Sequence, residues 1–214
     1  MHKNSVPQFY QTIQDTATAE YKDRGSKFLA FAFPIKTVED VKPLLANVKK
    51  EHTKANHFCY AYRLGTDGNV FRSSDDGEPS NSAGKPILAQ IDSKQVTNVL
   101  VVVVRYFGGY LLGVAGLVHA YKTATALALQ LTPIIQVPIE VSLELQVDYT
   151  HLNDLLVFVK QEKLTVVRQD VQLFCTVVLG VPINRASEVE HALAQFHFVQ
   201  IVTPLTSTKK SIKK

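Results

Sequence analysis

The stretch VLVVVVRYFGGYLLGVAGLVHAY, residues 99–121, combines a strand, a glycine-rich corner and a helix, and it decides the fold of the first half of the chain. Its first part, residues 99–107, is rich in β-branched residues and predicts a strand that is buried on both faces, in a parallel or mixed sheet. A helix is predicted at residues 113–131, where Lys122 is the only charged residue apart from His119. Because this helix is apolar nearly all round, other elements must cover most of its surface.

Two interpretations of the glycines between this strand and this helix are open. Helix N-termini carry N–H groups without intrahelical acceptors and a partial positive charge, and glycine lets an anion approach them closely. The alternative is a tight strand-to-helix corner with close packing, which is the simpler interpretation. The spacing Gly109-x3-Gly113-x2-Gly116 does not match the dinucleotide-binding fingerprint.

A second distinctive loop, SSDDGEPSNSAGKP at residues 73–86, places three carboxylates within four positions: Asp75, Asp76 and Glu78. Its glycines are too far apart for a Walker phosphate loop, and Pro86 stands where that motif has a hydroxyl. The loop has neither the spacing of an EF-hand nor the Gly-x-Ser-x-Gly of a nucleophile elbow. His57 and Cys59 share one face of a predicted strand, and their types favour packing over ligand binding.

The other elements of the first half are short strands and helices. Residues 16–34 predict a hairpin with Arg24-Gly25-Ser26 as its turn. Thr37 starts a helix, and Glu39 and Asp40 suit its positive end. The remaining predictions are strands at residues 57–63 and 70–72 around a turn at 66–69, and a short helix at 86–91.

The second half has a cleaner pattern that follows a predicted linker, PIIQVP at residues 133–138. Strand, helix, strand, strand, helix and strand are predicted at residues 140–147, 151–161, 165–168, 172–179, 185–196 and 199–202. This β-α-β-β-α-β order is that of a ferredoxin-like domain. We therefore expect an α+β protein with domains at residues 1–135 and 139–205 and a basic flexible tail at 206–214.

Composition excludes several classes of protein. The chain has 214 residues, of which 46% are hydrophobic, as in ordinary globular proteins. Its longest apolar run is too short to span a bilayer, its start lacks the apolar core of a signal peptide, and its two cysteines are far apart. We expect a cytoplasmic protein with free thiols and no membrane association. The net charge of +4 resides in four lysines of the last six residues.

The motifs quoted above resemble the IMPACT/YigZ family. The resemblance rests on SDDGEPSNSAGKPIL (74–88) and VVVVRYFGGYLLGVAGLVHAY (101–121), and extends to EYKDRGSKFLAFAFPI (20–35) and HTKANHFCYAYRL (52–64). It implies an N-terminal α/β sandwich like the second domain of a small-subunit ribosomal protein, followed by a ferredoxin-like domain. Together these are similar to domains four and five of elongation factor G.

The resemblance also implies translation-linked binding, since the eukaryotic relative regulates initiation under starvation by competing for the activator of a general-control kinase. The chain departs from the family pattern at two basic positions, which are occupied here by Leu111 and His119. It also has SNSAG at residues 80–84 in place of SGTAG. Two fewer positive charges weaken a nucleic-acid surface, because each phosphate contact contributes through counterion release.

We therefore expect a non-enzymatic binding protein whose N-terminal domain contacts the ribosome, RNA or a translation-regulating protein. No catalytic residue, metal ligand or cofactor is predicted, and a small-molecule substrate is not expected. Arg105 is expected to hold a loop carboxylate in a forked pair. The alternative is a metal-dependent enzyme that uses Asp75, Asp76 and Glu78 on a phosphorylated small molecule. The candidate binding residues are Asp75, Asp76, Gly77, Glu78, Pro79, Ser80, Ser82, Lys85, Arg105, Tyr106, Gly108, Gly109, Gly113, Gly116 and His119.

Overall fold

A five-stranded sheet forms the first of two units in the computed structural model, which describes residues 7–203. This unit spans Phe9–Val137, and the second contains the described residues from Pro138 onward together with residues 7–8. The elements of the first unit and the segment that follows it are β1 (Phe9–Ile13), β2 (Ala17–Asp23), β3 (Ser26–Pro34), α1 (Val41–Glu51), β4 (His57–Leu64), β5 (Val70–Ser74), α2 (Gly84–Ser93), β6 (Val99–Tyr106), α3 (Gly113–Gln130) and β7 (Ile134–Pro138).

Strand β6 is the centre of this sheet, whose order is β2-β3-β6-β4-β5. It pairs antiparallel with both neighbours, so that Val103 lies opposite Ala30 on one side and Cys59 on the other. All its residues from Val99 to Arg105 are buried, which confirms the predicted burial. The predicted parallel or mixed arrangement is wrong, because a strand is buried on both faces wherever elements cover both, whichever way its neighbours run.

The two faces of the sheet have separate cores. Val101 and Val103 pack with residues of α2 and α3, including Ile87 and Tyr121. The alternate residues of β6 pack against α1 on the opposite face. Successive side chains of a strand point to opposite faces, so a single strand contributes to both cores.

Two details of this unit differ from the sequence-based expectations. The predicted linker at residues 133–138 is wrong: Ile134–Pro138 forms β7, which pairs with β1, a strand that was not predicted. Its β-branched residues explain the preference for a strand. The helix expected from Thr37 begins as a 3-10 turn at Val38–Asp40 and becomes α-helical at Val41.

The second unit contains the predicted ferredoxin-like arrangement, so the α+β class is confirmed. Its elements are β8 (Glu140–Asp148), α4 (Leu152–Gln161), β9 (Thr165–Asp170), β10 (Phe174–Pro182), α5 (Ala186–Leu193) and β11 (Val199–Thr203). The sheet order is β11-β8-β10-β9, and all pairs are antiparallel. Its core includes Leu145, Leu155, Val177 and Val189.

The predicted tail at residues 206–214 lies outside the described residues. No helix among residues 7–203 has both the length and the apolar composition that crossing a bilayer requires. Cys59 and Cys175 are both buried free thiols, as expected.

Candidate functional site

The acidic loop and the end of β6 meet at an ion pair between Glu78 and Arg105. Arg105 Nη1 lies 2.7 Å from Glu78 Oε1, and both side chains are almost completely buried. The hydroxyl of Tyr121, on α3, donates to the same oxygen at 2.8 Å. The Cys59 thiol lies 3.3 Å from the Tyr121 hydroxyl and 3.0 Å from the carbonyl oxygen of Asp75. The predicted pairing of Arg105 with a loop carboxylate is confirmed.

The expected forked geometry of this pair is wrong. Within residues 7–203, Nη1 is the only Arg105 nitrogen that bonds Glu78, and Nε is buried without a hydrogen-bond partner. Glu78 Oε1 instead accepts hydrogen bonds from both Arg105 Nη1 and the Tyr121 hydroxyl. The guanidinium carbon also lies 5.5 Å from the ring centre of Phe28 and 5.6 Å from that of Phe107. These aromatic contacts hold the plane of Arg105 at the end of the strand.

Burial keeps the neighbouring thiol and phenol protonated. It is the main cause that raises the pKa of the Cys59 thiol far above its usual range. Burial is likewise the first cause that raises the pKa of Tyr121, followed by the adjacent Cys59 and Glu78. Since the thiolate is the nucleophilic form of cysteine, Cys59 lacks the environment of a catalytic thiol.

Asp75 organises the acidic loop by accepting backbone hydrogen bonds. Its Oδ1 accepts the N–H groups of Ala83 and Gly84 at 3.0 and 2.8 Å, and its Oδ2 accepts that of Asn81 at 2.9 Å. These donors lie at and just before the start of α2, where N–H groups have no intrahelical acceptor. Asp75 therefore stabilises the loop-to-helix junction.

Asp76 fastens the loop to β4 in a similar way. Its Oδ2 accepts the Phe58 N–H at 2.7 Å, and its backbone oxygen accepts a hydrogen bond from His57 Nδ1 at 2.9 Å. Lys49 Nζ lies 3.9 Å from its Oδ1. In the described part of the chain, no three His, Cys, Asp or Glu side chains are grouped so that they form a metal site.

The glycines after β6 form a tight strand-to-helix corner, which is the simpler of the two interpretations of the sequence. A Cβ at Gly108 would lie 1.8 Å from the carbonyl carbon of Gly25, so the two backbones can touch only without a side chain. Gly109 and Gly113 have φ of +88° and +68°, in the left-handed region. The Gly108 N–H donates to Ser26 Oγ at 3.1 Å.

A groove of about 400 Å³ opens beside the ion pair, and we call it the Arg105 groove. The segment 107–114 forms part of its lining and presents four exposed apolar side chains: Phe107, Tyr110, Leu111 and Val114. Leu111 is the most exposed, at 85%. The residues that line the groove are Asn56, His57, Glu78, Pro79, Arg105, Phe107, Leu111, Leu112, Gly113, Val114 and Leu117.

The candidate residues from the sequence are only partly brought together. Glu78, Pro79, Arg105 and Gly113 line the groove. The other loop residues, Asp75, Asp76, Gly77, Ser80 and Ser82, belong to the acidic loop beside it, and the Ser82 hydroxyl donates to the backbone oxygen of Pro79. Gly108 and Gly109 form the corner.

Four candidate residues lie away from the groove lining. Tyr106 points to the opposite face of the sheet from Arg105, where its hydroxyl bonds His52 Nδ1 at 2.9 Å, as strand alternation requires. Lys85 and His119 are exposed on α2 and α3, and Gly116 packs against Leu112. The residues that sequence reasoning missed include Leu117 and Tyr121, whose i, i+4 spacing on α3 already indicates a shared face.

Comparisons with known proteins agree with these motifs. Residues 24–129 match the family model of the Impact N-terminal domain. The IMPACT family member YigZ of Escherichia coli is 36% identical over 176 residues, which cover 81% of this chain and 86% of that protein.

Two solved structures are also similar. A crystal structure of a hypothetical protein is 30% identical, covers 92% of this chain and 97% of its own, and has a TM-score of 0.79. A structure described as the two-domain translational regulator Yih1 is 29% identical over 61% of this chain and 50% of its own, with a TM-score of 0.35.

Proposed function

This chain belongs to the IMPACT family, and from that premise we propose that it is a non-enzymatic binding protein of the translation machinery. Its N-terminal domain contacts the ribosome, RNA or a translation-regulating protein. The family resemblance of the motifs at residues 74–88 and 101–121 supports the link to translation. The proposed site is the Arg105 groove, including the segment 107–114 that lines part of it.

The observation that carries this proposal is the exposed apolar segment 107–114. Phe107, Tyr110, Leu111 and Val114 all present large side chains to solvent within eight residues. Contiguous exposed apolar surface is unfavourable in water and marks sites that bind other molecules. Aromatic side chains such as Phe107 and Tyr110 are enriched in such interfaces.

The roles of the three loop carboxylates support binding over the metal-dependent alternative. Asp75 and Asp76 accept backbone N–H groups, and Glu78 accepts from Arg105 and Tyr121. A carboxylate that is held in this way stabilises its loop, and releasing it to a substrate or a metal ion would leave donors unpaired. No observation favours the alternative.

Co-sedimentation tests the proposal with the full chain and a matched pair of variants. The chain is added to a bacterial translation extract and separated on sucrose gradients, and peptide synthesis is measured in parallel. We expect the parent to sediment with ribosomes or translation factors and to change the rate of synthesis. Leu111→Asp abolishes both effects, whereas Leu173→Asp, a similarly exposed leucine of the second unit, retains them. A parent chain that neither sediments with these components nor alters synthesis contradicts the proposal.

A further inference from the structure

The sheet of the second unit has one face that the helices of this unit leave uncovered. Leu145 and Val177 point to the other face, where they pack with Leu155 of α4 and Val189 of α5. Successive side chains of a strand alternate between the two faces, so the neighbours of these residues point away from the helices. We call this side the open face, and its exposed members are Gln146, Asp148, Arg168, Asp170, Phe174 and Gln200.

The open face carries a net negative charge. Arg168 Nε lies 3.3 Å from Asp170 Oδ2, so these two groups neutralise each other. Asp148 and the half-buried Glu144 lie on the same face, and neither forms a salt bridge with any residue in the range 7–203. Residues 139–203 as a whole contain four Lys or Arg against eight Asp or Glu. This field attracts a cationic partner and repels the phosphates of a nucleic acid.

The carboxylate of Asp148 is available to a ligand. Asp148 is the N-cap residue of a 3-10 turn at Tyr149–His151, but its side chain makes no capping hydrogen bond. Aspartate is favoured at N-cap positions because it accepts backbone N–H groups of the turn that follows. Since this contact is not made, both carboxylate oxygens of the exposed Asp148 remain open to donors from outside.

Strand pairing places an aromatic ring beside this carboxylate. Phe174 lies directly opposite Asp148, and it is 64% exposed. Directly opposite side chains have Cβ atoms about 5 Å apart. Gln146 lies opposite Gln200 in the neighbouring strand pair. These four side chains line a pocket of about 450 Å³, which also contains His197 and Phe198 in its lining.

We infer that the pocket at Asp148 and Phe174 binds an arginine side chain from a basic segment of a protein partner. A guanidinium group is planar, stacks on an aromatic ring and donates to a carboxylate through two parallel hydrogen bonds. The amide oxygens of Gln146 and Gln200 are acceptors for its remaining N–H groups. The ammonium group of lysine pairs with the carboxylate but has no planar face to stack on the ring. This inference concerns the second unit and is independent of the function proposed for the N-terminal domain.

Titration with synthetic peptides tests this inference without a known partner. The full chain is added to a short fluorescein-labelled peptide of alternating arginine and glycine, and binding is followed by fluorescence anisotropy in low-salt buffer. The same peptide with lysine or glutamate in place of arginine is titrated in parallel. We expect the arginine peptide to bind at least about threefold more tightly than the lysine peptide, because only arginine stacks on the ring of Phe174. The glutamate peptide is expected not to bind.

Matched variants of the full chain separate this pocket from the general charge of the unit. Asp148→Asn is expected to weaken binding of the arginine peptide by about fivefold, the loss of one exposed ion pair. Asp154→Asn removes the same charge from an exposed position of α4, on the helix side, and is expected to change binding by less than about twofold. Phe174→Leu keeps an apolar side chain but removes the ring, so the arginine peptide is expected to lose its advantage over the lysine peptide.

Three outcomes overturn the inference. Equal weakening by Asp148→Asn and Asp154→Asn would show that the peptide responds only to net charge. Binding of a single-stranded RNA oligonucleotide that depends on Phe174 would assign the open face to nucleic acid. A full-chain variant with the four terminal lysines changed to glutamine tests the tail as an internal occupant, and a gain in peptide affinity of about tenfold or more would assign the pocket to the tail. The lysines changed are Lys209, Lys210, Lys213 and Lys214.

Discussion

Arg105 Nη1 and Glu78 Oε1 lie 2.7 Å apart with both side chains out of water, although 27 positions separate them in the chain. The pair joins the central strand β6 to the acidic loop, and Tyr121 adds α3 through the same oxygen. Three separate parts of the N-terminal unit therefore depend on one carboxylate.

Removing Arg105 tests this dependence. Arg105→Ala leaves Glu78 buried without its counter-ion, so we expect the free energy of unfolding to fall by about 3–5 kcal/mol. Urea denaturation followed by circular dichroism measures the change. Arg72→Ala, at an exposed position of β5, serves as the control and is expected to stay within about 0.5 kcal/mol of the parent. A stable Arg105→Ala variant that no longer binds a partner would show that Arg105 belongs to the binding site alone.

The raised pKa of Cys59 predicts a loss of stability in alkaline solution. Below about pH 8.5 the thiol is protonated in the folded and unfolded chains alike, and its contribution to stability is present in full. As the pH rises further, the unfolded thiol ionises while burial keeps the folded one neutral, so the free energy of unfolding falls by about 1.4 kcal/mol per pH unit. Tyr121 adds a second loss of this kind above about pH 10.

Urea denaturation from pH 7 to 10 measures this dependence. Cys59→Ala is expected to have the flatter profile, and Cys175→Ala, which leaves Cys59 in place, retains the alkaline loss. Identical profiles for the parent and Cys59→Ala would contradict the assignment to this thiol.

The two adjacent glycines of the corner are expected to respond differently to substitution. Gly109→Ala meets open space and adds only the strain of a positive φ, about 1–2 kcal/mol. Gly108→Ala places a methyl group on the backbone of Gly25, so the hairpin turn must move. We therefore expect a larger loss of stability than for Gly109→Ala. Thermal melting of both variants measures the difference, and equal melting temperatures would show that the corner yields easily.

We propose that residues 139–205 fold as an independent domain. The core of the second unit is built from residues of that unit alone, among them Leu143, Leu145 and Val177. The isolated fragment should unfold cooperatively in urea, and Leu145→Asp, at a fully buried position, should abolish the transition. A gradual change of the circular dichroism signal in the unsubstituted fragment would contradict an independent domain.

Sequence patterns predicted the individual helices and strands better than they predicted which strands pair and in which direction. The second unit followed from its six elements, because short connections leave few ways to arrange them. In the first unit, the pattern of β6 indicated burial but carried no information on the direction of its neighbours. Strand β1 lacks a clear alternation of apolar residues and was missed.

The candidate site shows the same limit. The sequence placed Arg105 beside the acidic loop, but the competing donor Tyr121 became apparent only when α3 was packed on the sheet. Tyr106 was included among the candidate binding residues because it is next to Arg105 in the sequence, although neighbouring residues of a strand point to opposite faces. The exposed segment 107–114 has no sequence signal apart from its apolar residues, because exposure depends on what the rest of the fold leaves uncovered.

The central position of β6 sets an order for folding during synthesis. The hairpins β2–β3 and β4–β5 are complete once residue 74 has been made, yet β6 ends only at Tyr106. Until then β3 and β4 each keep an unpaired edge, and such edges promote association between chains. Because synthesis adds about 5–20 residues per second, the nascent chain passes through this stage for seconds. A ribosome that pauses between residues 74 and 106 therefore holds two hairpins whose strands β3 and β4 have unpaired edges. Once β6 is available, it pairs with both strands and joins the hairpins into one sheet.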